Sequence, residues 1–242
     1  MTTVVITRPQ HRIEQAEEDY QQAGFETLAM PCFAVQTNIE VTPEQLAQAE
    51  RAPLILIFNS NAIKHLLLLK PDFTLSEETS VMGVGEGVAD YWQDHFDQPI
   101  LTPASQDSAG MMALLDHHQP DSLVILTAAG GLDLVRRYCV KHQIHYQQIN
   151  TYQRVPMVLN FEPFSEVLHQ QPILTATSGL ILEHFWQQCP DDLKPELSRL
   201  PLISGAQRIT GIAQELGFQE VYTAHSPSNT DMIEALQQSK LS

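Results

Sequence analysis

Short polar residues and glycines recur at one place in a repeated phrase: Thr7, Ser60, Gly85, Gly130, Ser178 and Ser204 each follow a brief apolar run and precede a helical pattern. Side chains this small let an anion approach the peptide N–H groups that open a helix, where donors lack intrahelical partners and the helix dipole is positive. The chemistry on offer is the binding of a ligand rich in carboxylate or phosphate. Other chemistries find little footing. Gly83-Val84-Gly85-Glu86-Gly87 lacks the third glycine spacing of a dinucleotide fingerprint, and no G-x-x-x-x-G-K-[ST] run exists, so no nucleotide cofactor is expected. The histidines, among them His117-His118 and the isolated His11, His65, His95 and His184, form no H-x-x-x-H and no grouping with cysteine at ligand spacing, so no metal is expected. A G-x-S-x-G elbow is also missing.

The elements that position these residues follow from periodicity. Val4-Val5-Ile6-Thr7 leads into a helix over Gln10–Ala23, with Ile13, Ala16 and Tyr20 on one face and Gly24 as its left-handed stop. Leu54–Phe58 precedes Ala62–Leu69, Val81–Gly85 precedes Glu86–Phe96, and Ile100–Thr102 precedes Ser108–His118 with Ser108 as the cap. His117-His118 then suits the negative end of that helix. Leu123–Leu126 leads into Leu132–His142, Ile173–Ala176 into Leu180–Gln188, Leu202–Gly205 into Ala206–Leu216 with Gly217 as stop, and Val221–Ala224 into Asn229–Gln238. Gly85 and Gly87 are expected to serve a tight strand-to-helix turn, and Trp92 and Trp186 to be packing residues.

Strands alternating with helices imply parallel sheets covered on both faces. Roughly eight or nine strands exceed the ~5 of one compact sheet, so two α/β domains are expected. Cys32–Asn38 and Asn150–Pro156 lack helical periodicity and suit a pair of extended crossings. That places residues 39–149 as an inserted domain, residues 1–34 with 157–242 as the other, and 35–38 and 150–156 as linker strands that can hinge. Two such domains facing each other would line one cleft with the small residues named above.

Bulk properties narrow the function further. The 242 residues carry a net charge of −16, from 13 basic and 29 acidic side chains, which argues against nucleic acid and against an anionic membrane surface as partners. Such a chain cannot attract a polyanion over distance; local donors must hold it. No apolar run is long enough to span a bilayer, and the N-terminus has no basic n-region, so a cytoplasmic protein is expected. Cys32, Cys139 and Cys189 are odd in number and widely spaced, and read as reduced, packed thiols. No heptad run or exposed apolar helix face announces a partner, which makes a monomer the default.

Thr7-Arg8-Pro9, Ser60-Asn61-Ala62, Thr151-Tyr152-Gln153-Arg154, Thr177-Ser178-Gly179 with Trp186 following, and the run Ser204-Gly205-Ala206-Gln207-Arg208 through Ala213–Phe218 together resemble the uroporphyrinogen-III synthase family, nearly end to end. The resemblance implies two flavodoxin-like domains, each a three-layer α/β/α sandwich on a parallel sheet, one inserted in the other through a two-stranded linker. It implies a cofactor-free lyase acting on hydroxymethylbilane. That substrate would lose its terminal hydroxyl as water, be attacked at the substituted carbon of ring D to give a spiro intermediate, and reclose with the ring inverted. Tyr152 is implied as the proton donor to the departing hydroxyl. The carboxylates of the substrate are expected at Thr7, Arg8, Ser60, Asn61, Gly85, Ser108, Gly130, Thr177, Ser178, Gly179 and Ser204, largely through main-chain amides; read by itself, Arg8 suits an ion pair at the domain edge. One departure concerns Leu126–Leu132, where many relatives carry arginine in a pattern like L-R-G-x-x-G-R and this chain has none. Hydroxymethylbilane synthase, which supplies the substrate, is a candidate for transient contact. The rival reading is a hinged ligand-binding or sensor protein without catalysis. The missing arginine and the −16 charge favour that rival, and the missing signal peptide speaks against it.

Overall fold

The computed structural model describes residues 2–130 and 133–239; Gly131 and Leu132, part of the Leu126–Leu132 segment, lie outside the described residues. The chain divides into two compact units, residues 1–35 with 155–242 and residues 36–154.

The first unit opens with β1 (Thr3–Ile6), buried along its length, and α1 (Ile13–Gln22), entered through a 3-10 turn after Pro9. Gly24 ends that helix region at φ +90°, a conformation side chains disfavour. β2 (Glu26–Ala29) pairs with β1 in parallel; no apolar run announces it because it is a partly exposed edge strand. β3 (Phe33–Thr37) then carries the chain toward the second unit.

There α2 (Pro43–Glu50) starts with a capping box in which Thr42 and Gln45 bond each other's backbone. Next come β4 (Leu54–Ile57), α3 (Ser60–Leu69), β5 (Ser80–Gly83), α4 (Glu86–Gln93), β6 (Ile100–Leu101), α5 (Ser108–His118), β7 (Ser122–Ala128), α6 (Asp133–Lys141) and β8 (His145–Pro156). The sheet order is β3-β8-β7-β4-β5-β6, and the ladders from β8 through β6 are parallel. Against β8, β3 runs antiparallel: Asn38 N–H donates to Thr151 O, and Met157 N–H donates to Cys32 O. Alternation does the rest. Leu54, Leu56, Met82, Leu123 and Ile125 pack against Met111 and Leu115 of α5 and Val135 and Cys139 of α6. The intervening Ile55 and Ile57, also buried, point to the face that α3 and α4 cover. The β7–β8 register slips once, from Thr127 opposite Asn150 to Ala128 opposite Tyr152, so Thr151 is an extra residue in a bulge.

The return contributes α7 (Glu162–Leu168), β9 (Ile173–Ala176), α8 (Gly179–Gln188), α9 (Lys194–Leu197), β10 (Leu202–Ser204), α10 (Gln207–Glu215), β11 (Val221–Thr223) and α11 (Asn229–Gln238). The sheet of the first unit is parallel in the order β11-β10-β9-β1-β2. Val5, Leu174, Ala176 and Leu202 face Phe164, Ile181, Phe185, Ile209 and Ala213 of α7, α8 and α10. Val4, Ile6, Ile173 and Ile203 face Ala16, Tyr20, Met232 and Leu236 of α1 and α11. Each fully buried aliphatic side chain of this kind contributes ~1.5–3 kcal/mol. Both units are three-layer α/β/α sandwiches. The described residues form eleven strands, more than the patterning announced.

Candidate active site

Parallel pairing brings the carboxyl ends of β1, β9 and β10 together, and with them Thr7, Arg8, Thr177, Ser178, Gly179 and Ser204. Two of these hydroxyls are spent inside the sheet. Thr7, 2% exposed, donates to Thr175 O at 2.6 Å. Ser204 is fully buried, with its Oγ 2.6 Å from Thr210 Oγ1, which lies 2.6 Å from Thr223 Oγ1. Neither side chain can offer its hydroxyl to a ligand without breaking these bonds; what they present is main chain.

Ser178 caps α8, its Oγ accepting Ile181 N–H at 3.3 Å, with the half-buried Thr177 beside it. The cap is uncharged, so the start of α8 keeps its positive end. Gly179 serves packing: a Cβ there would lie 2.5 Å from Ile212 Cδ1 of α10. Arg208 Nη1 is 3.5 Å from the same point, so a guanidinium from the first turn of α10 reaches the start of α8. Sequence reading did not single this cation out, because its place depends on α8 packing against α10. α10 itself begins at Ala206 with no side-chain cap. Among the described residues Arg8 forms no ion pair with a carboxylate; it donates to Pro227 O at 2.5 Å, and burial lowers its pKa, with Tyr20 and Asp19 acting in the opposite direction. It ties the segment before α11 to the end of β1.

In the second unit the ends of β4, β5 and β7 lead to Ser60, Asn61, Gly85 and Gly130, and Tyr152, within β8, lies opposite Ala128, the last residue of β7. Asn59 caps α3 by accepting Ala62 N–H at 3.1 Å, and Ser60 and Asn61 are its first two residues. Gly85 starts α4 without a side-chain cap at φ −175°, ordinary extended backbone; a Cβ there would meet the Gln106 side chain, with Oε1 at 2.6 Å. Gly87 meets nothing within 4 Å, so the turn requires no glycine there. Gly130, exposed at the end of β7, adopts φ +84° and does require one. Ser108 is not the cap of α5. Asp107 is, accepting Gly110 N–H at 2.8 Å and the Ser105 hydroxyl at 3.1 Å. These bonds, the amide first, hold its carboxyl below the usual range, so a fixed negative charge occupies the place an anion would take.

Tyr152 sits on β8 with 2% of its surface exposed, stacked on His65 of α3 at 5.7 Å between ring centroids and 26° between planes. Burial raises its pKa; the Arg154 charge and hydrogen bonds from the Asn59 and Arg154 side chains pull the other way. Asn59 is also the cap of α3, so the phenol lies near that helix start. Among the described residues no three His, Cys, Asp or Glu side chains gather to hold a metal. All three thiols are free and buried, and burial pushes Cys32 up to about 12 and Cys189 up to about 11, which leaves them without nucleophilic character. Cavities of about 430 and 400 Å³ in the second unit, lined by Asp116, Tyr138 and His142 and by Arg51, His145 and Tyr146, lie at the amino ends of its strands, away from these groups. No helix of the described residues is long and apolar enough to cross a membrane.

Residues 14–234, nearly the whole chain, match the family described as uroporphyrinogen-III synthase HemD. The chain belongs to the uroporphyrinogen-III synthase family. A crystal structure of uroporphyrinogen-III synthase from the extremely thermophilic bacterium Thermus thermophilus, in a mutant form, is similar to it with a TM-score of 0.64 and 16% identity over 98% of each chain. The enzyme from Helicobacter pylori 26695 is similar with a TM-score of 0.65 and 17% identity over 99% of this chain and 100% of that one. At such identities the likeness is one of fold. In this member of the uroporphyrinogen-III synthase family, α5 starts at an acid cap and Leu126–Leu132 contains no arginine.

Proposed function

We infer that this chain closes hydroxymethylbilane to uroporphyrinogen III, with loss of water and inversion of ring D. The match of residues 14–234 to the synthase family carries the reading and favours catalysis over a binding or sensor role. Site chemistry supports it. A substrate bearing many carboxylates meets a protein of net charge −16, so short-range donors must do the holding. The uncapped starts of α4 and α10, the neutrally capped starts of α3 and α8, and the Arg208 guanidinium are suited to that work. Within this assignment Thr7, Arg8 and Ser204 act through the backbone they hold in place, Gly85, Gly130, Thr177 and Gly179 through their peptide groups, and Ser60, Asn61 and Ser178 at the helix starts. Ser108 is the weakest member, since Asp107 opposes an anion there.

Tyr152 is the proton donor in this scheme. Its phenol, protonated at neutral pH, donates to the terminal hydroxyl as the C–O bond breaks and water leaves. The electrophile is then captured by ring D rather than by solvent because the bound chain is already folded for that attack. The rest of the proposal places the enzyme in the cytoplasm as a monomer that receives its substrate by transient contact with hydroxymethylbilane synthase; three free thiols suit a reducing compartment. The test is to add purified protein to freshly generated hydroxymethylbilane and separate the isomers after oxidation. Type III product is expected, and type I alone, the product of unassisted closure, would reject the assignment.

A further inference from the structure

We propose that His65, oriented by Thr37, is a positioning residue for Tyr152, setting where its hydroxyl points. The proposal deepens the proton-donor reading of Tyr152 and rests on it. Three elements of the second unit meet here: Thr37 on β3, His65 on α3 and Tyr152 on β8. Thr37 Oγ1 and His65 Nδ1 are 2.8 Å apart, and the imidazole lies nearly parallel to the phenol. His65 is 6% exposed and Tyr152 2%, so neither ring has room to swing. Thr151 Oγ1 donates to Ala62 O at 2.9 Å, one helical turn before His65, so the backbone next to Tyr152 and its ring are both referenced to α3.

Burial alone does not account for a histidine at this place. A leucine on the same face of α3 would cover the phenol without bringing a polar ring out of water. What imidazole adds is a flat surface whose rotation is fixed by one directional bond. Burial and the nearby Lys64 lower the His65 pKa, which favours the neutral ring beside Thr37. The Arg154 charge and the Asn59 side chain act on the phenol against the effect of burial. A ring held on its face, on a strand tied to the same helix, has the place of its hydroxyl oxygen fixed, as a donor to one departing hydroxyl requires.

The test compares variants in the wild-type and Tyr152→Phe backgrounds. Thr37→Val keeps the branched shape and removes the bond; kcat is expected to fall about tenfold with KM unchanged, since misplaced catalytic groups lose rate before affinity. Thr37→Ser is expected to restore kcat, and His65→Leu to lower it at least as far as Thr37→Val. In the Tyr152→Phe background none of these changes is expected to lower kcat further. Equal losses in both backgrounds, or an unaltered kcat in Thr37→Val, would overturn the positioning role while leaving Tyr152 in place. If Tyr152→Phe alone leaves kcat unaltered, the proton-donor reading fails and takes the proposal with it. Should His65→Leu not fold, the Thr37 pair decides the matter by itself.

Discussion

At the carboxyl end of the sheet in the first unit, Thr7 and Ser204 turn their hydroxyls into the core and bond them there, leaving amides, the neutral cap Ser178 and the Arg208 guanidinium at the surface. At the corresponding end in the second unit, an ionisable phenol meets the cap of α3, and one helix start, that of α5, is closed by a carboxylate. One α/β plan thus carries two arrangements: an end that presents amides and a guanidinium, and an end that holds both the phenol proposed as proton donor and a helix start closed by a carboxylate. The lesson is that strand topology fixes where helix starts gather, while the identity of each cap decides what the start can accept.

The sharpest way to break this contrast is Tyr152→Phe, which keeps the stacked ring and removes the proton. A fall of about 10²-fold in kcat is expected, with residual type III product, because positioning survives. Since burial raises the phenol pKa above the usual ~10, ionisation of Tyr152 should produce no alkaline limb in kcat until pH exceeds that value; a limb near pH ~8 that disappears in Tyr152→Phe would contradict the assignment. Next in size is Ser178→Asp, which makes the start of α8 resemble that of α5. The cap bond is retained, so melting should stay near wild type, while KM is expected to rise on the order of tenfold by steady-state kinetics.

Asp107→Asn tests the converse. It keeps a capping side chain and deletes the charge, so KM should fall by about twofold. Because the Asp107 carboxyl is held below its usual value, its stabilising contribution is complete above the ordinary carboxylate range and is lost as pH falls through the lowered value. Melting temperatures of wild type and Asp107→Asn should therefore converge below pH ~4. The smallest effect belongs to Ser204→Ala: about 1 kcal/mol of stability by denaturant unfolding, with KM unchanged, since its hydroxyl serves the core.

Much of this frame was legible in the sequence. Helix stops at Gly24 and Gly217 were visible because only glycine takes their positive φ without cost. The apolar runs of β1, β4, β7 and β9 were visible because strands covered on both faces cannot alternate with polar residues. Caps were harder. Asn59 and Asp107 stand one residue before Ser60 and Ser108, and all four are good capping types, so only the extended backbone at the earlier residue of each pair decides. A missed signal was Thr42–Gln45, a capping box three residues apart that marks α2. What no local pattern encodes is tertiary: the inward turn of the Thr7 and Ser204 hydroxyls, Arg208 over Gly179, and His65 under Tyr152 each depend on elements distant in the chain.

The slip in register at Thr151 has an evolutionary reading. In an unbroken strand, neighbours point to opposite sides, yet Thr151 and Tyr152 both address α3, because one residue too many has been counted into β8. Were both residues drawn into an unbroken ladder, with Thr151 opposite Ala128, Tyr152 would be turned to the α6 side. A descendant that lost the bulge while keeping both residues would hold its sheet together and aim the phenol away from α3.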